Sequence, residues 1–126
     1  MRYVVSAMLV IVGVIHLLPL SGVLGAERLS ALYGISVAEP NLALLLRHRA
    51  VLFGMLGVFL VLSAFRPSLQ PIAFVGGLIS VLSFLLLAWP VGSLNAEVSR
   101  VFYVDVAALV CLCVGVIALV FVGRGS

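Results

Sequence analysis

Three side chains able to exchange protons or recognise charge stand inside otherwise apolar runs of this sequence: His16, Arg49 and Asp105. Arg49 belongs to the tripeptide Arg47-His48-Arg49, a few residues into a run that is otherwise apolar from Leu42 to Phe65. Arginine is a permanent planar cation with five donors, and a carboxylate such as Asp105 can pair with it bidentately. Histidine titrates near neutral pH. On the membrane-insertion scale each central arginine costs about 2.5–3.5 kcal/mol, whereas a Leu, Val or Phe returns about 0.3–0.6. The arginines must therefore lie shallow and snorkel, or find partners. Ionisable groups held at that expense mark functional sites by default.

The elements that position these residues follow from composition. Of the 126 residues, 65% are hydrophobic and 9% charged, against roughly 45–50% and 25% in soluble domains. A water-soluble globule and a disordered chain are both excluded. Roughly 20 apolar residues cross a bilayer, and the sequence offers four such runs, at residues 3–20, 42–65, 72–89 and 100–122. With short loops they fill nearly the whole chain. The expected fold is all-α, one integral membrane domain over 1–126 built as an antiparallel four-helix bundle. The first run has signal-peptide features in Arg2 and Leu24-Gly25-Ala26, but it is long for one and contains His16 and Pro19, so it reads as a span.

Between the first two spans, Ala26–Tyr33 places Leu29, Leu32 and Tyr33 on one side of a short helix, as expected of a helix lying at the interface. Gly34 is its natural stop, and Pro40-Asn41 a natural start for the next element. Arg66-Pro67 and Pro71 bracket a tight turn, and Pro90 closes the third span. Glu97 and Arg100 read as a solvated pair in the last loop. Tyr33, Trp89 and Tyr103 form an aromatic belt at one face. Gly13, Gly57, Gly76 and Gly77, with Ser6 and Ser80, would let helices approach closely.

The seven basic residues are all arginines, scattered at span ends, which argues against nucleic-acid binding. Arg2, Arg66 and Arg124 share one side with no acid. Arg28, Arg100 and the three glutamates share the other. Arg2 beside the first span and Arg66 in a tight turn place both termini in the cytoplasm. Cys111 and Cys113 diverge on a helix and read as packing residues, with no intrahelical disulfide and no metal set. No haem, flavin or iron–sulfur ligand set is visible either, so no cofactor is evident, although a bound quinone would need none of these.

Antiparallel threading fixes depth. Counted from the nearest span end at 1.5 Å per residue, His16, Arg49 and Asp105 lie about 9, 12 and 8 Å below the same surface, and Ser83 about 10 Å. One polar residue from each span thus reaches a similar level in the outer leaflet. Successive helical residues are 100° apart, so Arg47, His48 and Arg49 cannot all face one pocket. Arg49 is expected inward, His48 beside it, and Arg47 at the headgroups. Arg49, His48, Arg47 and Ser83 are the candidate ligand-binding residues. The start of the second span adds the positive end of its helix dipole.

His16 with Leu17-Leu18-Pro19, the run Arg47-His48-Arg49-Ala50-Val51-Leu52-Phe53-Gly54, and Asp105 entering the last span resemble small bacterial four-helix membrane proteins of the broad DoxX-like group. The resemblance covers nearly the whole chain and implies a multi-pass protein of the bacterial inner membrane. Members of that group are associated with quinone-linked oxidoreductase complexes or with membrane assembly, so it implies fold more than activity. Similar sequences are sometimes labelled phosphopantetheine adenylyltransferase. That enzyme is a soluble α/β protein with a T-x-G-H-type phosphate site. Here Val14-Ile15-His16 lies in an apolar helix, with no glycine-rich phosphate loop and no lysine.

The leading functional expectation is an intramembrane polar pocket that binds a lipid- or quinone-like hydrophobic small molecule. If it is catalytic, His16 and Asp105 are the candidate catalytic residues for proton transfer and Arg49 the electrostatic anchor. A small proton-coupled transporter is the alternative, although the first span lacks the embedded acid of small efflux proteins. A third reading is a non-catalytic membrane subunit or assembly factor in which the polar cluster locks the helices. Four spans also suit a homo-oligomer or a larger membrane complex.

Overall fold

The computed structural model describes residues 1–36 and 39–124 of the chain. Five α-helices follow one another: α1 (Arg2–Leu17), α2 (Ala26–Tyr33), α3 (Pro40–Ser63), α4 (Gln70–Ala88) and α5 (Ala96–Arg124). Tight 3-10 turns follow α1, α3 and α4, at Leu18–Leu24, Pro67–Leu69 and Trp89–Val91. Each contains a proline near its start, where a missing N–H costs nothing. No strand occurs among the described residues. The helices α3 and α5 by themselves, and α1 and α4 together with residues of their flanking turns, are long and apolar enough to cross a membrane, and the chain is a multi-pass membrane protein.

The four long helices stand in a ring in chain order, α1 beside α3, α3 beside α4, α4 beside α5, and α5 closing on α1. Leu9, Val12, Leu60, Phe74, Val81 and Leu112 fill the centre. Leu44, Leu45, Leu52, Met55, Leu86 and Phe121 face outward, as lipid requires and water would not tolerate. α1 and α3 approach closely where Gly13 meets Gly57. A Cβ on Gly13 would stand 2.9 Å from the Gly57 carbonyl oxygen, and one on Gly57 would stand 2.8 Å from that of Gly13. Glycine is required at both positions by the neighbouring backbone. Gly76 has no such role, since its nearest neighbour would be Leu56 at 3.6 Å.

α2 occupies the expected residues and ends at Gly34, whose φ of 66° suits a glycine. Its apolar face meets protein, however. Leu29 and Tyr33 are buried against Leu42, Ala43 and Leu46 of α3 and Val98 and Val101 of α5. Tyr33 is therefore a core residue and not part of an exposed belt, whereas Trp89 and Tyr103 are exposed. Residues 37 and 38 of the connection to α3 lie outside the described residues. α3 then starts on the Glu39 carboxylate, which accepts the Leu42 N–H at 2.7 Å and the Asn41 side-chain amide at 2.8 Å.

The last helix begins earlier than the span pattern suggests. Asn95 caps it by accepting the Val98 N–H at 2.7 Å, while its amide donates to the Tyr33 carbonyl at 2.8 Å. One side chain thereby starts α5 and anchors the end of α2. Glu97 and Arg100 consequently stand on the first turns of a helix and not in a loop. The Glu97 carboxylate lies against Gly34.

Candidate functional site

The end of the bundle that carries α2 holds His16, Arg49 and Asp105. His16 lies in the last turn of α1 and is 3% exposed. Its Nδ1 is 2.9 Å from the Val12 carbonyl oxygen, which can only accept, so Nδ1 carries a proton. Its Nε2 is 2.9 Å from Ser80 Oγ on α4. With a neutral ring, the serine donates to Nε2. Pro19 cannot donate to the Ile15 carbonyl four residues before it; that carbonyl accepts from the Leu18 N–H instead, and the His16 ring uses Val12.

Arg49 points inward from α3, as the 100° spacing of its tripeptide allows. Its guanidinium carbon lies 4.3 Å from the centre of the Phe53 ring, 5.3 Å from Tyr33 and 5.8 Å from Phe84. It also donates to the Tyr33 hydroxyl. Rings from α2, α3 and α4 thus cage the cation, which offsets part of its cost in a low-dielectric setting. Phe53 touches the His16 ring as well, with centres 5.5 Å apart, and so links the histidine to the arginine.

Asp105 projects from α5 towards the same place, and Arg49 acts on it through charge without a hydrogen bond. The bidentate Arg49–Asp105 pair open to the two residue types is not formed, because the aromatic cage and the Tyr33 hydroxyl hold the guanidinium. Between them remains a cavity of about 20 Å³ lined by Ile15, His16, Pro19, Arg49, Phe53, Val101 and Asp105. That is room for about one water molecule. Asp105 also borders a second, larger space of about 200 Å³ between the end of α1, α2 and the start of α5. Leu18, Leu32 and Val104 give that groove apolar walls, and Tyr33, Glu97 and Arg100 add polar groups. On the other side, Arg49 and Ser80 border a lateral cleft of about 190 Å³ shared with Leu52, Phe53 and Leu56.

His16, Arg49 and Asp105, similar in depth by residue count, all line one cavity. Ser83, at the same depth, does not. That residue is exposed and donates to the Ser80 carbonyl of its own helix at 2.9 Å. Depth says nothing about direction around the helix. The inward face of α4 runs through Phe74, Gly77, Val81 and Ala88, and the 3.6-residue period turns Ser83 away from it and Ser80 towards it. His48 and Arg47 are exposed on α3 and line neither the small cavity nor the groove.

The residues that spacing alone leaves out are Tyr33, Phe53, Ser80 and Phe84. Two of them carry a readable signal: Phe53 is four residues after Arg49 and Phe84 four after Ser80, on the same helix faces. Among the described residues no group of three or more His, Cys, Asp or Glu is placed to hold a metal. Cys111 and Cys113 are both free thiols. No family model, curated protein or solved structure matches this chain.

Proposed function

We propose that this chain is a DoxX-like protein of the bacterial plasma membrane that binds a lipid- or quinone-like small molecule through Arg49, His16 and Asp105. The observation that carries this reading is the convergence of the three side chains from three helices on one cavity, with Asp105 also bordering an adjoining groove that is largely apolar. An amphiphile fits such a space: its polar end meets Asp105 and the water-sized cavity, and its apolar body lies along Leu18, Leu32 and Val104. Arg49 supplies a fixed positive charge for an electron-rich head group such as a quinone carbonyl. Nδ1 keeps its proton on the Val12 carbonyl, so Nε2, which accepts from Ser80, is the atom at which the His16 ring takes up and releases a proton. Arg2 and Arg66 put both termini in the cytoplasm and the cluster in the outer leaflet. A fluorescent reporter fused to the C-terminus, active only in the cytoplasm, tests that orientation.

Equilibrium binding of a short-chain quinone to the purified chain tests the site. Binding is expected in wild type and in Arg28→Ala and is lost in Arg49→Ala. Equal binding by the two variants overturns the assignment. A purely structural cluster is the second reading, favoured by the full hydrogen bonding of the His16 ring. In that case Arg49→Ala loses stability and there is no quinone binding to lose.

A further inference from the structure

The opposite end of the bundle contains a larger cavity, about 410 Å³, where the start of α1, the end of α3, the start of α4 and the end of α5 meet. Arg2, Tyr3, Ser6, Phe65, Gln70 and Val122 contribute to its lining. Gln70 is 7% exposed, an unusual degree of burial for an amide at a membrane boundary. Its Nε2 donates to the Ala64 carbonyl at a long 3.4 Å, and that carbonyl already takes a 2.7 Å hydrogen bond from Ser6 Oγ. The Gln70 amide oxygen and its second N–H have no partner among the described residues. No enclosed side-chain polar atom is left without a partner among the described residues, so the unpartnered Gln70 amide oxygen is accessible, and Gln70 lines the cavity. A buried amide left half-bonded is costly unless something polar completes it.

Charge narrows what completes it. Arg2 is the charged residue that lines the cavity. All four acids lie at the other end: Glu27 on α2, Glu39 at the cap that starts α3, and Glu97 and Asp105 on the first half of α5. A negative group at this end therefore meets Arg2 without a competing carboxylate side chain among the described residues. The walls from Tyr3, Phe65 and Val122 suit a glycerol backbone and the first methylenes of an acyl chain. Basic pockets between membrane helices bind anionic head groups in this manner.

We infer that the cavity at Arg2 and Gln70 is a binding site for the head group of an anionic phospholipid, with the phosphate at Arg2 and the Gln70 amide on a neighbouring hydroxyl or ester oxygen. This site shares no residue with the Arg49 cluster, and its test is independent of that cluster.

Native mass spectrometry of the full chain in detergent, titrated with phosphatidylglycerol or phosphatidylcholine, reads the site. Phosphatidylglycerol is expected to be retained in preference. Arg2→Gln is expected to weaken that retention about fivefold, the value of one basic residue near a membrane surface. Gln70→Leu, which keeps the side-chain bulk, is also expected to weaken it. Arg66→Gln removes the same charge from the same end, outside the cavity, and is expected to leave retention unchanged. Equal retention of the two lipids overturns the inference, as does equal weakening by Arg66→Gln and Arg2→Gln, or unchanged retention in Gln70→Leu. Displacement of the lipid by inorganic phosphate assigns the site to a soluble anion and overturns the lipid reading.

Discussion

The His16–Ser80 hydrogen bond and the caged Arg49 are the two residue-scale facts on which the site depends. Interhelical hydrogen bonds in membranes contribute about 0.6–2 kcal/mol, so Ser80→Ala is expected to lower stability by about 1 kcal/mol. Ser83→Ala removes only a bond within one exposed turn and is expected to change nothing. Thermal unfolding in detergent compares the two serines directly. Arg49→Lys keeps the charge and loses the planar contact with Phe53 at 4.3 Å. Each such contact is worth roughly 0.5–2 kcal/mol, so the lysine variant is expected to be less stable and to bind more weakly than wild type. Tyr33→Phe tests the hydroxyl alone, because the ring and its packing stay. These partners are only partly readable from the sequence. Residue type and depth single out His16, Arg49 and Asp105, whereas Ser80 and Tyr33 depend on the azimuth of α4 and on how α2 docks. A count of residues along a helix contains neither.

At the scale of elements, local signals set the helix bounds well. Gly34 stops α2, and prolines begin α3 and the turns after α1, α3 and α4. The start of α5 is harder to read, because its cap, Asn95, is a polar residue outside the apolar run. Two expectations belong here. Gly57→Ala sets a methyl group 2.8 Å from the Gly13 carbonyl and is expected to cost about 1–3 kcal/mol as overpacking. Gly76→Ala has room and is expected to be tolerated, which thermal unfolding of both variants checks. The second concerns Glu39, whose carboxyl is held below its ordinary value by the backbone N–H groups of Asn41 and Leu42, with the Asn41 side chain adding to them. A carboxylate whose value falls on folding stabilises the protein above its unfolded value, and the effect is lost as pH drops through the folded one. Glu39→Gln should therefore be slightly less stable than wild type at neutral pH. The difference should vanish in acid, where the wild-type carboxyl is protonated.

On the scale of the whole molecule, the bundle separates two chemistries. One end gathers the acids, the α2 cover, and the cavity between His16, Arg49 and Asp105. The other presents Arg2 and Arg66 and the cavity at Gln70. The apolar helices between them face lipid with large side chains and touch one another through glycine. A polar cluster that only locked helices together would be expected to close on itself. Here Asp105 keeps no hydrogen bond to Arg49, and both residues line further open spaces as well as the cavity between them. The most direct test replaces both charges at once, with Arg49→Leu and Asp105→Leu in one chain, and measures thermal stability and short-chain quinone binding on the same sample. Removing both half-buried charges together leaves neither one unpaired in an apolar setting. The expected result is a folded protein of near wild-type stability that no longer binds quinone. A folded double variant that binds as wild type does would contradict it.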